Sequence, residues 1–574
     1  MQTMQSIHHR RSSLRMTVVV VLACLVPSGM LLAAPLTFLR TENQNIVNEQ
    51  GEKVLLRGVG LGNWMLPEGY MWKFGEHGDR PRKIEKLVSD LIGPEKAGQF
   101  WGEFRRHYIT EHDIRRIAEL GFNSVRPALN ARLFLTETDP PQRVEEGYQL
   151  LDNLVKWCRT HGLYVIIDMH GAPGGQTGEN IDDSPRDLPE LFMEVKYQDR
   201  LVDLWVAIAK RYKDEPTVAG YDLLNEPLPE RSGAAAKYKH LVEPLYQRIT
   251  RAIREVDPRH MIILEGVDWA NDWSIFTKPF DSNLVYQFHY YCWDEPARLK
   301  GIDQYLAHRT RLNAPVWVGE TGERDNTIYW ATMEYFEANN IGWSFWPWKK
   351  MDTVNTPYSI SRPPDWDVVA AYSRGGPKPA ATVAQKAFDA LLANIRLENC
   401  VYFEGVVNAM LRRIPGRIEG ENFGQEGFGV SFSVNQQTNR SKFYRTDEPV
   451  TIKVGEAKRP KTDQFIVLSG GEWTAYKINN EVARECVVTL RVRAETGPAE
   501  AELRVNDLKL DVPVTGTAWT EIRTKAAPFN RGSNQLKWTV KRGTVELDWI
   551  DVQPPPEQPA RERKRIIPRA TAAE

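Results

Sequence analysis

Residues 218–227, VAGYDLLNEP, hold a short apolar run that reads as a buried strand and ends on Asn225-Glu226, where the strand gives way to a loop. A carboxylate at such a point costs folding energy unless a partner or a reaction uses it. In a closed parallel barrel the C-terminal ends of the strands form the catalytic face. Pro227 then blocks regular continuation. Taken alone, this glutamate also fits a plain structural role, a rim carboxylate paired with an arginine, so the neighbouring strands must decide.

Working outward from it, short apolar runs alternate with longer amphipathic ones. The runs are 54–61, 123–128, 164–170, 219–226, 261–266, 284–291, 316–320 and 341–346. Between them, segments such as 111–120, 148–159, 198–212, 238–255 and 327–339 have helical periodicity. Eight strands with crossover helices predict an α/β chain with a (β/α)8 TIM barrel over residues 35–414. The strand ends carry Arg126, Asp168 and His170, Asn225 and Glu226, His289 and Tyr291, Glu320 and Trp346. Ionisable groups converging on one buried face need a common purpose. Glu226 and Glu320, ending the fourth and seventh strands, suit glycoside cleavage, in which one carboxyl donates a proton to the leaving oxygen and an ionised one attacks the anomeric carbon. A zinc site is the weaker reading, because neither HxH nor HExxH spacing is present.

The 574 residues exceed what one core usually serves. Lys plus Arg (74) nearly cancels Asp plus Glu (75), so the overall charge does not argue for a nucleic-acid or membrane-surface partner. Eighteen Trp and 20 Tyr are more than cores require and suit sugar faces as well as interfaces. Residues 1–34 read as a secretory signal, with His8 to Arg15 preceding the apolar run 16–26 and small residues to Ala34. The expected location is therefore periplasmic or extracellular. A membrane anchor, or a lipoprotein modified at Cys24, is the minority reading. Cys158, Cys292, Cys400 and Cys486 are spaced too widely for a metal site or a dense disulfide framework and are expected as free thiols. Residues 554–574, rich in Pro and charge, are expected to be disordered.

These residues resemble glycoside hydrolase family 5, and within it the fungal exo-β-1,3-glucanases, over 53–350. The motifs are GVGLGNWMLPE (58–68), IIDMHGAPGGQTG (166–178), LLNEPLP (223–229), HYY (289–291), VGE (318–320) and GWSFWPWK (342–349). The resemblance implies a retaining enzyme with Glu226 as acid/base and Glu320 as nucleophile. Asn225 would bind the 2-hydroxyl of the sugar, and Arg126 and Tyr291 would hold Glu320 ionised and oriented. His170 and His289 would line the subsite, Trp346 would form its floor, and Glu68 would reach the terminal sugar. Thr321-Gly322 stand where the fungal pattern has an aromatic, and only 26 positions separate Glu320 from Trp346, so a more open site is expected. Asp182-Asp183 are read as shaping outer subsites or as a plain solvated loop, and 269–273 (WANDW) as an outer subsite.

Past Arg412 the period changes, and seven short alternating runs predict an all-β sandwich, jelly-roll-like, over 415–553. The runs RIEGENF (417–423), GEWTAYKIN (471–479), TGTAWTEI (515–522) and GTVELDWIDV (543–552) resemble a carbohydrate-binding module of family 6. That resemblance implies a structural calcium on Glu419, Glu421 and Asp548, oxygen donors suited to the ion, the alternative being exposed strand-edge charges. Trp519 supplies one ring of the module's sugar clamp, whereas Val467 and Glu546 replace the expected Tyr and Asn.

The expected function is hydrolysis of β-glucosidic bonds in a β-glucan oligosaccharide by a monomer without a catalytic cofactor. A transglycosylase would use the same residues. A non-catalytic glycan-binding protein would usually lack one of the two glutamates. Linkage, and exo against endo action, stay open in the sequence.

Overall fold

The computed structural model describes residues 35–75, 78–229, 233–292, 296–438, 441, 444–455 and 463–556. The signal, with Cys24, and residues 557–574 of the expected tail lie outside them. Eight parallel strands close into a barrel in sequence order: β1 (Arg57–Leu61), β2 (Ser124–Asn130), β3 (Tyr164–Gly171), β4 (Val218–Asp222), β5 (Met261–Glu265), β6 (Leu284–His289), β7 (Val316–Gly322) and β8 (Gly342–Trp346). Helices Glu111–Glu119, Glu145–His161, Val195–Tyr212, Val242–Arg254, Asp303–Leu312 and Asn326–Ala338 surround it. Helices Pro81–Ile92 and Pro94–Tyr108, which the strand-by-strand expectation omits, fill the long β1–β2 connection, each opening on a proline at its first turn.

Side chains inside the barrel stack in layers, because alternate residues of each strand face the same way. The lowest layer is apolar. Tyr164 and Ile166 of β3, Met261 and Ile263 of β5, Val285 of β6 and Trp317 of β7 pack there, closed from below by Leu39 and by Ile46 of the hairpin Arg40–Val47 that follows it. Two residues further along the strands the layer becomes polar, with Asp168, Glu265 and Gln287, all fully buried. Above that lies the rim. Strand β4 ends at Asp222, so Asn225 and Glu226 stand beyond it in the loop, and Glu226 has a left-handed backbone with φ 42°.

Residues 416–553 form two antiparallel sheets, one of six strands and one of five, whose facing residues make an apolar core. The first strand, Gly416–Glu419, pairs with the last, Thr544–Gln553. The barrel is tied to this region by Arg412, whose carbonyl accepts the Asn479 N–H at 2.8 Å while its Nη2 meets Glu337 Oε2 at 2.5 Å, and by Arg413, which donates to the Leu120 carbonyl at 2.6 Å and pairs with Glu481. Glu337 also accepts from Arg57 at 2.7 Å. All four cysteines in the described chain are free thiols, and no described helix is long and apolar enough to cross a membrane.

Candidate active site

The site is built on Arg126. This β2 side chain is wholly buried along the barrel axis, and desolvating a guanidinium is costly unless every donor is used. Its Nε donates to Asp222 Oδ2 (2.9 Å), Nη1 to Glu320 Oε1 (2.7 Å), and Nη2 to Asn225 Oδ1 (2.8 Å) and Glu265 Oε1 (3.0 Å). Asp168 Oδ1 stands 3.2 Å from Nη2. One cation thus faces four carboxylates. Burial raises the proton affinity of Asp168 and Asp222 well above the ordinary carboxyl range despite Arg126. Glu265 moves the other way: against the desolvation penalty, His289, Arg126 and a backbone N–H together favour its ionised form.

Tyr291 donates to Glu320 Oε2 at 2.8 Å, opposite the oxygen taken by Arg126, so both oxygens of this carboxylate are fixed in orientation. Across the mouth, Glu226 Oε1 meets His289 Nδ1 at 2.6 Å, and the same nitrogen lies 3.6 Å from Glu320 Oε2. A donor atom from each of Glu226, His289 and Glu320 lies within 4.8 Å of the others. Burial lifts Glu226 to about 7, with the His289 cation and hydrogen bond working against the rise. Burial alone would push His289 down, but Glu265, Glu320 and Glu226 hold its imidazole protonated, well above the ordinary histidine range.

His170 is the opposite case. Burial pushes it down to about 3, so the ring is neutral. Its Nδ1 faces Asp168 Oδ2 at 2.8 Å and its Nε2 faces the Asn225 amide nitrogen at 3.3 Å. A proton on Nδ1 given to Asp168 leaves Nε2 to accept from Asn225, and this fixes the tautomer. The ring stacks on Trp346 at 5.2 Å between centroids, 5° from parallel. A Cβ at Gly60 or Gly62 would come within 2.4 or 2.6 Å of the Trp346 ring, so these two glycines of the 58–68 motif make room for that floor.

Of the residues expected from the sequence, Glu68, Glu226, His289, Tyr291, Glu320 and Trp346 open onto one cleft, while Arg126, Asp168, His170 and Asn225 are buried and do not line it. The cleft has a volume of about 530 Å³. Glu68 is buried, burial raises its proton affinity well above the ordinary carboxyl range, and its Oε1 has no hydrogen-bond partner among the described residues. Trp269 and Asn271 also line the cleft, whereas Trp273 belongs to the core. Asp182 and Asp183 are not a solvated loop. Asp182 accepts the Thr177 and Ser184 N–H groups, and Asp183 binds Arg82, Arg132 and Asn130, bracing the connection after β3.

Sequence reasoning missed Tyr70, Glu323 and Lys350. Tyr70 accepts the Trp346 indole N–H at 3.0 Å, and Lys350 Nζ pairs with Glu323 at 2.7 Å on the cleft wall. It also missed Asp222, Glu265 and Gln287 below the rim. Their signal was available, since Glu265 continues the Met261, Ile263 alternation of an otherwise apolar run.

In the sandwich, burial raises the proton affinity of Glu419, Glu421 and Asp548, with Asp548 adding to the rise at both glutamates and Glu419 to that at Glu421. Their oxygens do not gather within 4.8 Å of one another, and Asp548 Oδ2 is engaged by Arg491. Glu421 Oε2 is buried without a hydrogen-bond partner among the described residues. Glu546 is held by Lys453 and Arg493, and the Arg493 guanidinium lies 4.5 Å from the centre of the Trp519 ring.

A family model, Cellulase (glycosyl hydrolase family 5), matches residues 89–352. A β-xylosidase of Phanerodontia chrysosporium is 29% identical over 348 residues, which is 55% of this chain and 71% of that protein. A protein described as probable glucan 1,3-beta-glucosidase A of Emericella nidulans is 31% identical over 281 residues, 47% of this chain and 67% of the relative. The Aspergillus clavatus protein of the same description is 29% identical over 259 residues, 44% of this chain, and the chain spans 59% of its length.

The proton held by Glu226 has a consequence for stability. Its folded value of about 7 lies above the ordinary 4.5, so protonation favours the native state. That contribution is fully present below about pH 4.5 and is lost as pH rises through about 7. Glu226→Gln stays neutral at every pH and should melt above wild type at pH 8, by at most about 3 kcal/mol of stability, with little difference at pH 4.5. Calorimetry showing no larger gain at pH 8 than at pH 4.5 would contradict this reading of the site.

Proposed function

Because the chain belongs to glycosyl hydrolase family 5 and is a glycoside hydrolase, we propose that it cleaves β-glucosidic bonds of a β-glucan oligosaccharide with retention of configuration. The observation that supports this reading is the closeness of Glu226 and Glu320, with donor atoms within 4.8 Å. Carboxyls at about 5–5.5 Å favour double displacement, whereas inversion needs a wider gap to admit a water between them.

In the first step a Glu320 oxygen bonds to the anomeric carbon as the bond from that carbon to the glycosidic oxygen breaks. The Glu226 proton passes to the leaving oxygen. In the second step Glu226 takes a proton from water, the water oxygen bonds to the anomeric carbon, and the ester to Glu320 breaks. Glu226 enters protonated because of its burial. Glu320 enters as a carboxylate oriented by Arg126 and Tyr291. Asn225, tied at both ends to Arg126 and His170, presents its remaining amide hydrogen to the 2-hydroxyl. Trp346 supplies the apolar floor, and the unpartnered Glu68 Oε1 accepts a hydroxyl of the sugar. A sugar acceptor in place of water would make the same second step a transglycosylation.

We also propose that the sandwich holds a calcium ion through Glu419 and Glu421, on the strength of the orphaned Glu421 oxygen and the crowding of like charges around it. Asp548 would have to leave Arg491 to join them. A metal that binds only the folded state raises stability. Chelator should therefore lower the melting temperature while leaving turnover of small substrates nearly unchanged, and an unmoved melting curve would remove the ion from the account.

The catalytic reading makes two further statements. Glu320→Gln, which cannot form the ester, should retain less than about one part in a thousand of wild-type turnover. NMR of the first-formed sugar from a panel of β-1,3, β-1,4 and mixed-linkage oligosaccharides should show the β-anomer. An α-anomer would exclude double displacement, and the panel fixes the linkage.

A further inference from the structure

Glu265 has no part in the reaction as described, yet it touches both halves of the machinery. It ends β5 inside the barrel and is completely buried. Its Oε1 accepts from Arg126 and Gln287 and lies 3.4 Å from His289 Nε2. Its Oε2 accepts the backbone N–H of Glu226 at 2.7 Å. That N–H belongs to a residue in a left-handed conformation, between the end of β4 and Pro227, where no strand neighbour serves it. Tyr246 donates to the Glu265 carbonyl at 3.0 Å and anchors the residue from outside the barrel.

We propose that Glu265 is a positioning residue of the hydrolase: it fixes the backbone of the acid/base Glu226 and, through His289, keeps a cation against that carboxyl. The inference rests on the acid/base assignment of Glu226. His289 is the connecting piece, with one ring nitrogen toward Glu226 and the other toward Glu265. The ring donates from Nδ1 to Glu226, while Nε2 lies within ion-pair distance of Glu265 without a hydrogen bond, and the two flanking carboxylates hold it cationic. Glu265 is the largest of the three carboxylate influences on that ring, ahead of Glu320 and Glu226. The other charged or titratable groups near the ring are Asp168 and His170 of β3, which feel its charge. Arg126 shares the Glu265 oxygen, and Tyr291 follows on the His289 chain segment. Around Glu226 itself stand His289, Glu320 and Glu265, with Glu68 and Tyr291 on the cleft wall.

The proton balance gives the direction of the effect. A cation beside Glu226 favours its ionised form and so moderates the rise that burial imposes. Glu265→Gln keeps the shape and an acceptor for the Glu226 N–H but removes the charge, and His289 then gives up its proton within the working range. Without that cation Glu226 holds its proton more tightly, and this outweighs the smaller, opposite effect of losing the Glu265 charge itself. The alkaline limb of kcat/KM on an aryl glycoside with a poor leaving group should move up by about one pH unit, and kcat at the optimum should fall about tenfold or more. Glu265→Asp keeps the charge, so its limb should stay at the wild-type position even though the shorter side chain weakens the hold on Glu226 and lowers kcat.

Glu226→Ala, assayed on the same aryl glycoside, and on a dinitrophenyl glycoside that needs no acid to show that the site is intact, separates this inference from the assignment beneath it. Loss of the limb in that variant confirms that the limb reports Glu226. If the limb is lost there but does not move in folded Glu265→Gln, the positioning role is overturned and the acid/base assignment stands. A limb that persists in Glu226→Ala overturns both. Should Glu265→Gln fail to fold, His289→Gln removes the same cation directly and must show the same upward shift, and a folded His289→Gln with an unmoved limb overturns the proposal.

Discussion

Arg126 is the constraint on which the active end of the barrel depends. A guanidinium with no solvent exposure must spend its donors on protein groups, and this one reaches Asp222, Asn225, Glu265 and Glu320 by hydrogen bonds with Asp168 alongside. Those partners come from β3, β4, β5 and β7 or the loops at their ends. The one side chain therefore fixes the register in which the strands present their rim residues, and removing it would leave several buried carboxylates uncompensated. The polar layer it organises rests on an apolar layer that closes the lower barrel.

The same constraint explains why similar side chains differ in charge. His170 and His289 sit at equivalent depths, but His170 faces one carboxylate and an amide and is neutral, whereas His289 is surrounded by Glu226, Glu265 and Glu320 and is cationic. Glu226 and Glu320 differ in their hydrogen-bond surroundings. Glu320 receives hydrogen bonds from a guanidinium and a phenol, while the Glu226 side chain reaches, among the described residues, His289 alone and lies in a buried setting that favours its proton. Two glutamates with opposite surroundings are what a two-step displacement needs.

Much of this was legible in the sequence. Alternating apolar and amphipathic runs gave all eight strands, and polar residues at strand ends stood out because the preceding residues are apolar. The layer beneath was overlooked, since Asp222, Glu265 and Gln287 are embedded within the runs rather than ending them as obvious breaks. Period-two alternation would have identified Glu265 and Gln287 as facing inward with Ile263 and Val285. Loop residues are harder. Glu323 reaches the cleft through a left-handed backbone with φ 58°, and its pairing with Lys350 depends on how two connections pack, which local sequence does not encode. In the sandwich, pattern found seven of the eleven strands among the described residues and missed Gly416–Glu419, Thr451–Val454, Trp473–Asn480 and Leu508–Val514, and the pairing of Asp548 with Arg491 is a cross-strand contact that only the register reveals.

The central claim is that Glu320 becomes covalently bonded to the sugar with Glu226 supplying the proton. The most direct measurement is to inactivate the enzyme with a 2-deoxy-2-fluoro-β-glucoside bearing a good leaving group, then locate the added mass by peptide mapping. The account predicts one fluoroglucosyl group per chain, on the peptide carrying Glu320 and on that side chain. A label on Glu226, or time-dependent inactivation with no covalent mass gain, would contradict it.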